Sequence, residues 1–274
     1  MEDAALDHAI TTHARDPLFV WLEGDEWSPK LSSLKHVKGL GFTNTRHLPP
    51  QLFRMTWLEV LRIQGCTFDL PTLVKNLLGF DALRVLFVDG DGTEPELAPL
   101  PSELLGLGRL EELDLEACGI SELPKRLGDL LSLKILRLDQ NPIDALPDSN
   151  GRLRNLEELS LYYAWTLARL PETIGGLSSL RSLRLDGTQL RRLPASVAQL
   201  ELLQILTTSH ARLTSLPELG RLGALEILDA SANQLTDLPA GLDHLPFLHQ
   251  VDVRENPLPA KLAKSLPRGW SVDR

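Results

Sequence analysis

The chain of 274 residues predicts an α/β solenoid. A parallel β-sheet lines the concave side of a horseshoe, and short helical or irregular segments return along the convex side. Three observations predict it. The frame Leu-x-x-Leu-x-Leu recurs along almost the whole chain, as at Leu133-Lys-Ile-Leu136-Arg-Leu138 and, with Ala in the third place, Leu225-Glu-Ile-Leu228-Asp-Ala230. Successive frames lie about 23 residues apart, and each is followed by a ladder residue and then Leu-Pro, as at Leu146-Pro147 and Leu238-Pro239. A unit of this size cannot bury its own apolar face and must stack on its neighbours.

The second Leu of each frame serves as a register residue. The clean series is Leu113, Leu136, Leu159, Leu183, Leu206, Leu228 and Val251, with spacings of 23, 23, 24, 23, 22 and 23 residues. Upstream, Leu40, Leu61 and Leu86 are separated by 21 and 25 residues, and Leu86 to Leu113 spans 27. Ten strands follow, with Leu18-Phe-Val20-Trp-Leu22 as a candidate eleventh, capping strand. Period-2 alternation turns each register residue and the one two further on inward, and the residues between them outward. The return segments, such as Pro171-Glu-Thr-Ile174-Gly-Gly-Leu177, are spaced for a helical turn or irregular chain. They are wider than the strand layer, so the stack curves with the sheet inside.

Residues 1–33 read as an N-terminal cap, a short helix and then an apolar segment holding Trp21 and Trp27. Residues 34–258 form the solenoid, and residues 259–274 the C-terminal cap. Functional arms are the alternative for both ends. The ladder position, five residues past the register residue, holds Asn141, Asn233 and Asn256. Elsewhere it holds Thr45, Cys66, Asp91, Cys118, Ala164, Thr188 and Ala211. A side chain there bonds backbone groups at the bend, so Ala164 and Ala211 must leave that work to water or backbone. Thr208 and Ala230, where Leu is usual, predict a softer core in that stretch.

The motif Leu-Pro-x-x-Ile-x-x-Leu-x-x-Leu-x-x-Leu-x-Leu-x-x-Asn-x-Leu over residues 34–262 resembles the leucine-rich repeat family. It is similar to the cytosolic 23-residue type of Ras-associated scaffolds and many bacterial repeat proteins. The resemblance implies the horseshoe and a non-catalytic role in protein recognition. It leaves the partner open, because the fold hosts receptors, inhibitors and scaffolds.

The net charge of −9 argues against nucleic acid and anionic membrane, which need a Lys/Arg excess. The acidic start Met1-Glu2-Asp3 lacks a basic region and long apolar stretch, and no apolar run spans a bilayer, so a cytoplasmic monomer is expected. Cys66 and Cys118 both occupy ladder positions two repeats apart, about 10 Å at the strand spacing, and read as structural. The seven histidines show no metal-ligand spacing. The run Asp89-Gly-Asp91-Gly-Thr-Glu94-Pro-Glu96 lacks the closing Glu of a calcium loop and reads as an acidic surface loop. Neither a phosphate-cradling Gly-rich loop nor a nucleophile elbow is present. No catalytic residue, metal or cofactor is therefore expected.

The outward positions form three rows across the strands. Glu112, Asp114 and Glu158 join Asp89, Glu116, Asp139 and Asp186 into one acidic patch, with Arg137 and Arg184 placed to pair with neighbouring carboxylates. Phe87 adjoins the patch, and His210 ends a strand beyond it. The two tyrosines, Tyr162 and Tyr163, are adjacent at a central strand exit. Trp165 follows in a 24-residue repeat, an aromatic group in a charged surround, as interface hot spots are built. The competing expectation is that the extra residue bulges the turn and Trp165 packs on the repeat edge. These residues point to a protein partner with a basic or mixed-charge surface; a small GTPase or other signalling protein is implied only by the resemblance. A bacterial effector or ubiquitin-ligase recognition domain stays open, although the repeats leave no length for a catalytic domain. So does an inhibitor or immunity protein that occludes a basic active site. Val60, Val85, Phe87, Ile135, Ile205 and Ile227, outward and apolar, equally fit a dimer contact.

Overall fold

The computed structural model describes residues 19–23, 31, 33–45, 47–65, 69–90, 97–267 and 269–273. The helix expected near the N-terminus, together with Trp27, Cys66 and residues 91–96, lies outside the described residues.

Eleven strands form one parallel sheet in chain order. They begin with β1 (Phe19–Glu23), β2 (Gly39–Thr43), β3 (Val60–Gln64) and β4 (Val85–Asp89). The two-residue β5 (Ala98–Pro99) leaves the sheet to pair on its flank with β7 (Ile120–Glu122), on either side of β6 (Glu112–Glu116). The sheet continues with β8 (Ile135–Arg137), β9 (Glu158–Ser160), β10 (Ser182–Arg184), β11 (Ile205–Thr207), β12 (Ile227–Asp229) and β13 (Gln250–Asp252). The candidate capping strand is thus an integral first strand, with Val20 opposite Leu40.

The register residues face one another through the whole stack: Leu40, Leu61, Leu86, Leu113, Leu136, Leu159, Leu183, Leu206, Leu228 and Val251. All are essentially inaccessible to solvent. Each such side chain contributes about 1.5–3 kcal/mol by leaving water, and none does so without its neighbouring repeat.

The convex segments are mostly single 3-10 turns, among them Asp148–Arg152, Glu172–Gly176 and Ala195–Gln199. The prolines of the Leu-Pro steps (Pro147, Pro171 and Pro194) precede them with φ of −72°, −73° and −64°. Proline fixes that angle, and five residues are too few to repay the cost of an α-helical nucleus. The 25-residue spacing from Leu61 to Leu86 makes room for an α-helix at Leu70–Asn76. The carboxylate of Asp69 caps it by accepting the Thr72 N–H at 2.8 Å. At the far end, the helix Ala260–Ser265 precedes Trp270, which is 9% exposed. The Ser271 N–H donates to the Val251 carbonyl, and the Val253 N–H to the Ser271 carbonyl.

The bends carry the ladder. Asn141 Oδ1 accepts the Cys118 and Ile120 N–H groups, and its Nδ2 donates to the carbonyls of Leu115, Leu138 and Asp139. Asn233 and Asn256 repeat the pattern. Where the ladder holds Ala164, backbone takes over: the Ala164 N–H donates to Leu161 O and the Leu167 N–H to Ala164 O, both at 3.0 Å. Arg212 N–H to Leu190 O does the same work beside Ala211.

Thr208 and Ala230 are both fully buried, and the Thr208 hydroxyl donates to the Asp229 carbonyl at 3.1 Å. They put less carbon into the core than Leu would, so amides over residues 200–235 are expected to exchange faster than those over residues 110–160. Equal protection in a hydrogen-exchange map would overturn that expectation.

Candidate functional site

The outward rows lie on the concave face in the predicted order, because the register residues align. At the centre sits Arg137. Its Nε and Nη2 bind both carboxylate oxygens of Glu158 at 2.8 and 3.0 Å. Its Nη1 reaches Glu112 at 3.3 Å and Asp114 at 3.4 Å. Arg184 differs from the expectation: it is exposed, with no carboxylate at ion-pair distance among the described residues. Its strand neighbours at the same row are Ser160 and Thr207, which carry no charge to pair with.

Asp114 is 4% exposed, in register between Phe87 and Arg137. Its Oδ1 is buried without a hydrogen-bond partner among the described residues. Burial pushes its pKa up to about 6 against the partial opposition of Arg137, with Asp139 and Glu116 adding to the rise. Desolvation also raises Asp139 and Asp89.

Two carboxylates of the acidic row have a structural task that the linear reading missed. Asp139 Oδ1 accepts the Ser160 hydroxyl at 2.5 Å and the Tyr162 N–H at 2.8 Å. Asp186 does the same two repeats later, accepting the Thr207 hydroxyl at 2.5 Å and both the N–H and hydroxyl of Ser209 at 2.8 Å. Each thereby closes the exit of the following strand. The signal was available as an Asp three after the register residue followed, 21 residues on, by Ser160 or Thr207 one after the next. Charge reversal at Asp139 therefore disturbs folding as well as the surface. Glu116, half-buried and among the described residues held only by Gln140 Nε2 at 2.5 Å, is the cleaner probe of the patch.

The aromatic group stands where the concave face turns into the bend. Tyr162, Tyr163 and Trp165 are 42%, 46% and 48% exposed. The tyrosine rings meet edge to face at 4.6 Å. Tyr163 has φ +53°, and its ring lies against the backbone of Gly187, the equivalent residue of the next repeat. A Cβ at Gly187 would come within 3.0 Å of that ring. The extra residue of the repeat falls at Trp165-Thr166, both exposed, so it does bulge the turn but leaves the indole outside. The Tyr162 hydroxyl has a raised pKa, first from partial desolvation and then from Tyr163, Asp186 and Asp139, which marks a negative field around it.

Tyr163 and His210 occupy a row of left-handed residues four after the register residue, with Asn44, Ala117, Gln140, Ala232 and Glu255. His210 is thus an exposed bend residue beyond the strand. Phe87 is half-buried, with the Arg62 guanidinium 5.6 Å from its ring centre. Cys118 is buried, its Sγ donating to the carbonyls of Glu116 and Val88. Burial, with Asp89, Asp114 and Glu116 beside it, raises its pKa far above an ordinary thiol, so it is kept in its unreactive form.

Among the described residues, no helix is long and apolar enough to cross a membrane, and no group of three or more His, Cys, Asp or Glu side chains is placed to hold a metal. Residues 42–169 match the family described as leucine-rich repeat region. The chain is 30% identical over 156 residues to a disease resistance-like protein of Arabidopsis thaliana, a match covering 48% of this chain and 12% of that protein. The curated relatives it matches are covered over only 7–13% of their own lengths. An internalin of Listeria monocytogenes has a similar structure, with TM-score 0.72 and 16% identity over 94% of this chain and 82% of the other. So does a plant peptide hormone receptor solved in complex with its peptide, with TM-score 0.70 and 24% identity over 86% of this chain and 39% of the receptor. With the aligned register, the buried ladder and the match over residues 42–169, the chain folds as a leucine-rich repeat solenoid.

Proposed function

We propose that the chain is a non-catalytic recognition module that binds a protein partner on its concave face, between residues 1–33 and 259–274 acting as caps. The partner carries a basic or mixed-charge surface. The observation that carries this reading is the exposure of Tyr162, Tyr163 and Trp165 in a negative field at the middle of the sheet. Aromatic side chains supply large contact area at low entropic cost, and a desolvated aromatic anchor ringed by charge is the usual composition of a hot spot. Glu116 and Asp89 are the carboxylates best placed to meet the partner, because Asp114, Asp139 and Asp186 are committed within the repeats.

A small GTPase or other signalling protein in the cytoplasm is the partner class that the likeness to Ras-associated scaffolds supports. Affinity capture from the native organism, read by mass spectrometry, tests the reading with wild type, Tyr162→Ala and Glu116→Lys as baits. The expected result is a protein retained by the wild type and lost by both variants, while their melting temperatures stay within a few degrees. Capture that survives both substitutions would overturn it. Recovery of ubiquitin machinery or of a nuclease would point instead to the effector or inhibitor roles.

A further inference from the structure

The concave face changes character between β4 and β6. A solvated sheet face normally alternates apolar inward with polar outward positions. Strands β1 to β4 break that rule in two of their three outward rows, the third being the polar Glu23, Thr43, Gln64 and Asp89. One row there reads Phe19, Gly39, Val60, Val85, and the other Trp21, Gly41, Arg62, Phe87. The one charged member, Arg62, lies over the Phe87 ring. Phe19 and Trp21 meet at 5.5 Å between ring centres. Their rings cover Gly39 and Gly41, where any Cβ would collide with them. The glycines thus make room for two aromatic rings, tilted 58° to each other, over β2 and in the same rows as Val60, Val85 and Phe87. On β6 the outward positions turn acidic with Glu112, Asp114 and Glu116. The boundary falls at Asp114, beside Phe87, where Oδ1 is buried and lacks a hydrogen-bond partner among the described residues.

We infer that this junction is the docking site for a single segment of the partner protein, with aromatic or aliphatic side chains at one end and Lys or Arg at the other. The inference rests on the proposed recognition role and specifies the chemistry of its ligand. The apolar end covers β1 to β4, a shelf about 15 Å wide at the strand spacing. The basic end meets Asp89, Glu112 and Glu116, with the Asp114 carboxylate beneath them, its Oδ2 facing Arg137 and its buried Oδ1 without a hydrogen-bond partner among the described residues. Charge complementarity sets the orientation of the segment across the strands. An acidic segment is repelled at one end, and a wholly polar one leaves the aromatic shelf wet.

The test uses the full chain, immobilised, against random peptides of roughly 12 residues displayed on phage, long enough to cross the junction when extended. Enriched sequences are expected to combine an apolar cluster with Lys or Arg at one end. Fluorescence anisotropy with the best peptide is expected to show about tenfold or greater weakening by Val85→Glu and by Glu116→Lys, about 1.4 kcal/mol each. Should Val85→Glu lose its fold by circular dichroism, the shape-conserving Val85→Thr replaces it. Peptide-induced hydrogen-exchange protection of residues 60–64 and 85–89 then gives the second reading. Lack of enrichment, enrichment of peptides with only one of the two halves, or affinity unchanged by substitution at Val85 would each overturn the inference. Loss of the native partner with Tyr162→Ala but not with Val85→Glu would leave the recognition role standing and reject this site. The reverse outcome would retain the site and reject the aromatic centre.

Discussion

Asn141→Ala is expected to destabilise the protein by about 3–5 kcal/mol and lower its melting temperature by roughly 6–15 °C. The side chain is fully buried and makes five hydrogen bonds, all to backbone. Alanine leaves two donors and three acceptors at the bend. Each buried group stripped of its partner costs about 1–3 kcal/mol, and relaxation recovers part of the total. A repeat array contacts only its neighbours, so the damage concentrates where the lost partners lie. Amide exchange at Cys118 and Ile120, whose N–H groups point at Asn141 Oδ1, is expected to speed up more than exchange near Asn233. A fall of less than 2 °C with unchanged exchange at those two amides would mean that backbone rearranges there as it does around Ala164.

That contrast bears on how much of the molecule is readable before folding. The strand register follows from Leu spacing alone, because an inward residue one place out of phase would put its whole row on the wrong face. Hence the alignment from Val20 to Val251 and the order of the outward rows were legible. The left-handed row was not. Gly65, Gly187 and Asn44 advertise positive φ at that position, while Ala117, Gln140, Tyr163, His210, Ala232 and Glu255 adopt it because the stack imposes it. The cost is about 1 kcal/mol per residue, which neighbouring packing outweighs. Sequence placed Tyr163 and His210 at strand exits, and the left-handed backbone puts both on the bend. The acidic row was legible as charge and not as structure. Asp139 and Asp186 look alike with Glu116 in a linear reading, and only the facing Ser160 and Thr207 hydroxyls separate them.

Arg137→Met is expected to cost about 3 kcal/mol at pH 7.5 and markedly less at pH 5, because of what it leaves behind. Arg137 is the cation for Asp114, Glu112 and Glu158, and its side chain is only 30% exposed. Removing one partner of a buried pair strands the other charge, typically at about 3–5 kcal/mol. Asp114 already shows the strain of that position, with its pKa raised from 3.8 to about 6. A carboxyl that binds its proton more tightly in the folded state stabilises fully below its unfolded value. That contribution is lost as pH rises through the folded value. In the wild type the loss therefore falls between about pH 4 and pH 6, where it amounts to roughly 3 kcal/mol on a shift of about two units. Desolvated Asp139 and Asp89 act with the same sign. Asp252 acts with the opposite sign, since Arg254 lowers its pKa and its contribution is lost on acidification. Without the guanidinium, the upper edge of the Asp114 window moves higher still, so the variant loses most at neutral pH. Adding Asp114→Asn to Arg137→Met removes the stranded charge and is expected to recover most of the loss at pH 7.5 and little at pH 5. Melting curves by circular dichroism at the two pH values decide it. An equal loss at both, or no rescue by the second substitution, would show that Arg137 matters through its packing and its bidentate contact with Glu158 rather than through the carboxylate it shields.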